Sequence, residues 1–393
     1  MLFVGIDVAK NKHDCCILDS DGVVHFDNFQ ILNSAQGFST LFTNICGCVP
    51  QIESHNVQIG LESTGIYGSN LENFLFSKGF SVVIFNPLST NLYRKSQTLR
   101  KTKTDKSDAM FLAKMLISGN YQAHLPESLQ LSEIKAFTRH RHRLVKQQSI
   151  LKISINRILD IVFPEFSSVV SSIHQKSSYA LLLELPNTEA ISTCHLTKLT
   201  NLLKDSSKGH YGKSKATQIK QLAARSIGLN SQAIALELQQ TIRLIANIQA
   251  EIDIVEKHIK LAMTEVSSPI TTIPGIGNVL GSIIVSEIGN IARFDTPAKL
   301  LAFAGMEPST YQSGNFTATQ TPMVKRGSTY LRWAILTAAR LVAMRDLTFK
   351  NFLAKKRAEG KHYNVAISHV GKKLVRVIFQ LLKTNVVFVS QAN

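Results

Sequence analysis

The sequence predicts an α/β domain followed by mostly all-α domains, and three observations support this expectation. Short apolar runs alternate with amphipathic segments over residues 1–122, which indicates a mixed sheet with flanking helices. Two long apolar patterns at helical spacing occupy residues 123–265, where we expect a helical arm with coiled-coil character. Residues 266–393 combine further helical patterns with a strongly basic composition. A chain of 393 residues has room for these three domains.

The first domain contains the signals of a β-hairpin and of two further strands. The apolar run LFVGIDV at 2–8 is followed by two more runs, Lys12–Leu18 and Val23–Ile31, which a DSDG turn separates. A helix, a strand, a helix and a strand follow, at Gln36–Ile45, Val57–Leu61, Gly68–Ser77 and Ser81–Asn86. The order β-β-β-α-β-α-β-α predicts a mixed sheet with helices on its faces.

Four carboxylates in this domain lie where a metal site is expected. Asp7 and Glu62 end two predicted strands, and open α/β sheets bind their ligands at such ends. Asp105 and Asp108 are three residues apart, so they share a face in the first turn of a helix predicted to continue to Leu116. Carboxylates are preferred ligands of hard divalent cations, and a metal pair can serve both oxygens of a phosphodiester displacement. The competing interpretation is that Asp105 and Asp108 only cap their helix.

Two long amphipathic helices are predicted in the middle of the chain, at 131–162 and 234–259. They could pair within one chain or between subunits, and we favour an arm that dimerises. The first of them carries a basic cluster that includes Arg139 and Arg143. The polar, basic segment 205–220 between them is expected to contact nucleic acid, with a flexible linker as the alternative.

The charge distribution predicts a polyanionic partner. The formal net charge is +17, yet residues 1–120 hold ten Lys and Arg against ten Asp and Glu. Residues 323–393 hold 14 basic against two acidic residues, so phosphate binding is expected mainly in the C-terminal part. The alternative is that the basic residues form only a solvated cationic surface without a polyanionic partner.

The cysteine count and the hydropathy pattern bear on where the protein occurs. An odd number of cysteines, five, and the lack of a long apolar run favour a soluble, cytoplasmic, nucleoid-associated protein without a disulfide framework.

The C-terminal domain opens with a turn that is typical of nucleic-acid binding. Ile273-Pro274-Gly275-Ile276-Gly277 matches a helix-hairpin-helix turn, which offers backbone amides to phosphate. A Lys-Arg-Gly turn precedes a helix predicted to begin near Ser328. With the basic connector 94–106, these segments supply the expected nucleic-acid contacts: Lys10, Lys101, Lys103, Arg139, Arg143, Gly275, Gly277, Lys325, Arg326 and Arg332.

The motifs GIDVAK, IGLESTGIY, KTDKSDAMFLAKML, TIPGIGNVLGSIIVSEIG and VKRGSTYLRWAI closely resemble those of the DEDD-type transposases of bacterial insertion sequences. The family is the one-ten family, and the long helical middle is similar to its eleven-eleven branch. The resemblance covers essentially the whole chain. It implies a RuvC-like variant of the RNase H fold, a helical connector and a C-terminal transposase domain that carries a catalytic serine.

The resemblance also implies roles for individual residues. The acidic tetrad would be Asp7, Glu62, Asp105 and Asp108, which would bind Mg²⁺, with two ions expected and Mn²⁺ as an alternative. Ser313 matches the place of the family's serine nucleophile best, and Ser309 remains a competitor. Val324 departs from the family pattern, in which a serine commonly precedes the Lys-Arg-Gly turn. Family members are similar in acting on DNA as dimers or tetramers, guided by a noncoding RNA from their own element.

Three other functions remain open from the sequence. A metal-dependent nuclease of the junction-resolvase type would use water as the nucleophile and leave Ser313 with a structural role. An actin-like ATPase or sugar kinase could begin with VGIDVAK, but it would need a second phosphate loop, which the sequence does not contain. A non-enzymatic nucleic-acid-binding protein would not need Asp7. The favoured prediction is a DNA transposase that forms a covalent serine–DNA link.

Overall fold

The structure, a computed structural model, describes residues 1–48, 54–63, 65–97, 105–119, 128–309, 312–313, 316–317 and 321–390, and for residues 54, 105, 106, 313, 316 and 317 it describes the backbone alone. The chain divides into two compact units, Met1–Pro126 and Glu127–Asn393. The first unit corresponds closely to the predicted domain 1–122. The second contains both the predicted arm and the predicted C-terminal domain, so the three-domain division stays a prediction.

A five-stranded mixed sheet forms the centre of the first unit, as predicted. Its strands are β1 (Leu2–Val8), β2 (Lys12–Asp19), β3 (Val24–Leu32), β4 (Val57–Glu62) and β5 (Ser81–Phe85). Their spatial order is β3-β2-β1-β4-β5, with β1, β2 and β3 antiparallel and with β4 parallel to both β1 and β5. The predicted DSDG turn joins β2 to β3 and places Gly22 at a φ of 79°.

Helices cover both faces of this sheet. They are α1 (Ala35–Gly47), α2 (Ser69–Ser77), α3 (Pro87–Gln97) and α4 (Asp105–Ile117). Apolar side chains of α1 and α2, such as Leu41 and Leu71, are buried in one cluster with Ile6. On the opposite face, Leu112 and Leu116 of α4 pack with Phe3. The prediction of a basic connector over 94–106 was wrong for residues 94–97, because they belong to α3.

The N-terminal half of the second unit is a helical layer around one long helix pair. It contains α5 (Leu129–Val162), α6 (Phe166–Val169), α7 (Lys176–Glu184), α8 (Thr188–Thr193), α9 (Leu196–Ser206), α10 (Lys213–Ala224) and α11 (Gln232–Glu265). The helices α5 and α11 pack along each other within one chain, and Ile158 and Ile242 lie in the core that they share with the shorter helices. The segment 205–220 is partly helical, because it includes the end of α9 and most of α10. Dimerisation through the arm stays a prediction.

The rest of the second unit is an α-helical bundle with one small hairpin. Its helices are α12 (Asn278–Ile288), α13 (Pro297–Phe303), α14 (Thr329–Arg345), α15 (Leu347–Ala358) and α16 (Tyr363–Thr384), and its two-residue strands are β6 (Gln312–Ser313) and β7 (Phe316–Thr317). The predicted PGIG turn lies between a 3₁₀ turn at Pro269–Thr272 and α12. All five cysteines are free, as predicted. No helix in the described ranges is both long and apolar enough to span a membrane.

Candidate active site

Two of the predicted acidic residues lie at the carboxyl ends of adjacent parallel strands. The register of β1 and β4 runs through the pair Ile6 and Leu61, so Asp7 and Glu62 follow as the next neighbours. Leu61 and Ile6 face the α1–α2 side of the sheet, and alternation therefore turns Asp7 and Glu62 toward the side covered by α4. Adjacent strands are about 4.8 Å apart, so the two carboxylates emerge close together.

A close backbone contact brings α4 to these strand ends. A Cβ atom on Gly5 would lie 2.0 Å from the carbonyl oxygen of Ala109 and 2.5 Å from the amide nitrogen of Ala113. Only glycine therefore allows α4 to sit directly on β1. Asp108 precedes Ala109 and is carried to the same edge, while Asp105 begins the helix and its side chain lies outside the described set. The predicted placement of both residues in the first turn of a helix is confirmed.

A cavity of about 260 Å³ opens beside the strand ends, between α3 and α4. Glu62 and Asp108 line it from opposite elements, together with Thr90, Asn91 and Arg94 of α3. The hydroxyl of Thr90 donates a hydrogen bond to Glu62 Oε1 at 3.0 Å. A guanidinium nitrogen of Arg94 lies 3.3 Å from Asp108 Oδ1, and only 12% of the Asp108 side chain is exposed. The cavity therefore combines carboxylates with groups that orient them.

The donor atoms at this edge fit a hard divalent cation. Among the described residues that line the cavity, the titratable ones are Glu62, Arg94 and Asp108, so the ligands that they offer are carboxylate oxygens rather than thiolates or imidazoles. Among the described side chains, three or more His, Cys, Asp or Glu do not converge tightly enough to form a complete metal cluster. The side chain of Asp105, the fourth predicted ligand, is not part of that set. An ion bound at Asp108 would compete with the guanidinium of Arg94.

Three residues of α3 were missed as site residues by the sequence analysis. Thr90, Asn91 and Arg94 all line the cavity, and the sequence places only Arg94 in a predicted feature, the basic connector 94–106. A signal for their helix was present in the sequence. Pro87 occupies the first helical position after β5, and Asn86 accepts a hydrogen bond from the Leu88 amide at 2.9 Å. Asn followed by Pro at such a boundary is typical of a helix start.

The candidate nucleophile lies in the second unit, on a short hairpin. Ser313 is the last residue of β6 and pairs with Phe316 of β7 in antiparallel register. Its side chain belongs to the undescribed set, so its role stays a prediction. The competitor Ser309 is half-buried, and its backbone amide donates to the Pro322 carbonyl at 2.8 Å. That hydrogen bond holds the backbone at Ser309, four residues before Ser313.

Arg139, predicted to contact nucleic acid, has a buried partner within the protein. Its guanidinium binds both carboxylate oxygens of Glu287, at 2.7 and 3.1 Å, and lies over the ring of Tyr330. Glu287 is 2% exposed and also accepts a hydrogen bond from Ser328 at 2.8 Å. Burial raises the pKa of Glu287, but the bonds from Arg139 and Ser328 outweigh burial and hold the pKa below its usual range. Arg139 thus has a structural role that the sequence did not reveal.

Arg332 stabilises the Lys-Arg-Gly turn through hydrogen bonds to backbone carbonyls. The guanidinium of Arg332 donates to the Lys325 carbonyl at 3.1 Å and to the Ala304 carbonyl at 3.4 Å. Lys325 has a left-handed backbone with a φ of 59°, and the side chains of Lys325 and Arg326 are exposed. Arg332 therefore shapes the turn, while Lys325 and Arg326 remain accessible to a phosphate.

The other predicted contacts occupy different surroundings. Lys10 and Arg143 are exposed, whereas Lys101 and Lys103 lie outside the described residues. Gly275 adopts a φ of 97°, and a Cβ atom there would come within 3.0 Å of the backbone of α14, so the turn is packed against that helix. Gly277 has open space around its Cα. The contacts of all these residues with nucleic acid stay predictions.

Two family models and several known proteins match this chain. Residues 4–164 match the DEDD transposase family model of the IS110 type, and residues 267–354 match the transposase IS116/IS110/IS902 family model. The structure also resembles T. thermophilus RuvC, solved in complex with a Holliday junction substrate. That likeness has a TM-score of 0.22 and 11% identity, and it covers 32% of this chain and 100% of RuvC.

Similar proteins span nearly the whole chain. An uncharacterized 44.8 kDa protein of insertion element IS116 from Streptomyces clavuligerus is 23% identical and is aligned over 98% of this chain and 96% of its own length. The pilin gene-inverting protein of Moraxella bovis is 24% identical with the same coverage. The transposase of IS1111A from Coxiella burnetii is 21% identical over 96% of this chain and 89% of its own length. Two models of one family thus match residues 4–164 and 267–354, which together make up more than half of the chain: the chain belongs to the IS110 family of DEDD transposases.

Proposed function

We propose that this protein cleaves and exchanges DNA strands through two groups of residues, the acidic tetrad and Ser313. The observation that carries the proposal is the convergence of Asp7, Glu62 and α4 at one edge of the sheet. Asp7, Glu62, Asp105 and Asp108 would hold Mg²⁺, which supplies charge neutralisation at a phosphate when bound. Thr90 would orient Glu62 through its 3.0 Å hydrogen bond.

Ser313 is proposed as the nucleophile. Its hydroxyl oxygen forms a bond to phosphorus and loses its proton, while the bond from phosphorus to the leaving strand oxygen breaks and that oxygen takes up a proton. One phosphoester replaces another, so the link conserves the energy needed to rejoin strands. The exposed side chains of Lys325 and Arg326 would hold the phosphodiester in the same unit.

Two substitutions test these roles with end-labelled element DNA, followed by a denaturing gel. We expect Asp108→Asn to abolish both strand cleavage and protein-linked DNA, since a carboxamide cannot replace an anionic ligand. We expect Ser313→Ala to abolish the protein-linked DNA, while the matched change Ser309→Ala leaves it intact. A Ser313→Ala protein that exchanges strands at the wild-type rate would contradict the serine role. Free ends from wild-type protein, without any linked DNA, would identify a water-using nuclease instead.

A noncoding RNA from the element and a homo-oligomeric assembly are also proposed. Their support is the resemblance of the whole chain to its family and the excess of Lys and Arg in the second unit. Strand exchange by purified protein should require added RNA transcribed from the sequence flanking the gene. Full activity on DNA alone after nuclease removal of RNA would eliminate the guide.

A further inference from the structure

A second cavity, within the second unit, has no part in the proposed chemistry. It has a volume of about 410 Å³ and lies between the middle of α5 and the first turns of α14. Its lining consists of His142, Arg143 and Lys146 from α5 and of Thr329, Tyr330 and Trp333 from α14. A volume of this size falls within the range of ligand pockets, about 300–1,000 Å³.

Aromatic rings form one wall of this cavity and are held in place. The ring of His142 meets Tyr330 and Trp333 edge-on, with centroids 5.1 and 5.6 Å apart. Arg139 lies 4.9 Å above the Tyr330 ring and is itself bound to buried Glu287. Trp333 nevertheless remains 41% exposed. A large aromatic ring that is held by neighbours and partly exposed suits stacking by a flat ligand.

The cavity lining is also cationic. Arg143 and Lys146 are exposed and lie three residues apart, on one face of α5. None of the described residues that line the cavity is acidic. Burial, together with the charges of Lys146 and Arg141, lowers the pKa of His142, so its ring is neutral near pH 7. The site thus offers both stacking surfaces and phosphate-binding charge.

We propose that this cavity binds one unpaired nucleotide of a single-stranded nucleic acid, with its base against Trp333 and its phosphate at Arg143 and Lys146. Base–aromatic stacking beside a cationic track is how proteins bind single strands, because every base has a π face. A duplex keeps its bases paired and stacked, so it could use the cations but not the indole. The inference rests on the proposed function only in assigning a nucleic-acid partner to the chain.

Tryptophan fluorescence tests the proposal directly, because Trp333 is the only tryptophan in the chain. The full-length protein is titrated, with a chelator present, with oligothymidylate, oligouridylate and a DNA duplex of equal length. We expect single strands to quench Trp333 and the duplex to quench it much less. The better of the two single strands assigns the cavity to DNA or to RNA.

Matched variants separate stacking from general charge. In anisotropy titrations with a labelled single strand, Trp333→Ala should weaken binding about tenfold, whereas Trp333→Phe should stay within about threefold of wild type. Tyr363→Ala removes another exposed aromatic ring, 44% exposed at the start of α16, and should change nothing. Asp108→Asn, which abolishes strand cleavage under the proposed function, should leave this binding unchanged. The proposed function and the nucleotide-binding cavity can therefore be disproved independently of each other. Equal quenching by duplex, or unchanged single-strand affinity of Trp333→Ala, would overturn the inference.

Discussion

Glu287 shows how one buried charge can organise several helices. It lies on α12 and binds Arg139 of α5 through both carboxylate oxygens. It also accepts a hydrogen bond from the hydroxyl of Ser328, which caps α14. A carboxylate that is 2% exposed is tolerated only when its hydrogen bonds and charge are satisfied. The same Arg139 supports Tyr330 at the cavity between α5 and α14. Glu287 therefore fixes the geometry of a surface that it does not itself reach.

Replacing Glu287 by Gln should lower the free energy of unfolding by about 1–3 kcal/mol at neutral pH. The isosteric amide loses the ionic attraction to Arg139, and the cost is moderate because the Arg139 side chain is 40% exposed to solvent. Chemical denaturation of the full-length protein measures the change. Glu265→Gln, an exposed glutamate at the end of α11, is the matched control and should be neutral.

The pH dependence of this difference has a definite sign. The pKa of Glu287 is lower in the folded protein than its ordinary value of 4.5, so the unfolded chain binds the proton more readily. The stabilisation is therefore fully present above about pH 4.5 and is lost as the pH falls through the folded pKa. Wild type and Glu287→Gln should converge in acid. A difference that stays constant with pH would mean that the ion pair is not its origin.

The placement of single residues was predictable where it depends on local sequence. Asp7 and Glu62 were placed at one sheet edge because each lies at the end of an apolar strand, and Asp108 was placed in the first turn of an apolar helix. Arg139 could not be assigned in this way. Its partner, Glu287, is 148 positions away, and a basic residue in a basic helix gives no sign of a buried acid. Thr90 was missed for the same reason, since its bond to Glu62 connects separate elements.

At the level of elements, one glycine controls how α4 meets the sheet. Gly5 lies in the middle of β1, where any side chain would overlap the backbone of α4. Gly5→Ala should therefore move α4, lower thermal stability by several degrees and abolish strand cleavage through Asp108. Thermal unfolding, together with the cleavage assay, measures both effects.

Gly47→Ala provides the matched control for this prediction. Gly47 ends α1, and a Cβ atom there would meet nothing within 4 Å. Alanine is the better helix former, so this change should be neutral or slightly stabilising. A stable and active Gly5→Ala protein would show that α4 can withdraw from β1 without cost to the site.

The elements themselves followed the sequence closely, with instructive exceptions. All five strands of the main sheet were expected from apolar runs and from the DSDG turn, and the long helices from their periodicity. The segment 87–97 was not expected to be helical, because its polar and basic composition outweighed the helix-start signal at Asn86 and Pro87. Intrachain pairing of α5 with α11 was left open, since an amphipathic face does not identify its partner.

At the scale of the whole molecule, charge and chemistry are separated along the chain. The unit at 1–126 has ten basic and ten acidic residues, so the entire net charge of +17 belongs to residues 127–393. A neutral unit with an acidic edge has little long-range attraction for a polyanion. The basic unit must therefore provide most of the electrostatic affinity for nucleic acid, which makes binding strongly dependent on salt.

This division predicts where the salt dependence of DNA binding originates. Each phosphate contact removed should reduce the slope of log affinity against log salt by about 0.9 on duplex DNA. The double change Lys325→Gln with Arg326→Gln should thus flatten the slope by nearly two, because both side chains are exposed beside the turn that Arg332 shapes. The matched pair Lys12→Gln with Lys78→Gln removes two exposed charges from the first unit and should leave the slope unchanged. Anisotropy titrations at several salt concentrations measure these slopes. An equal flattening of the slope by both pairs would mean that both units contact phosphates. It would contradict the claim that the second unit provides most of the electrostatic affinity.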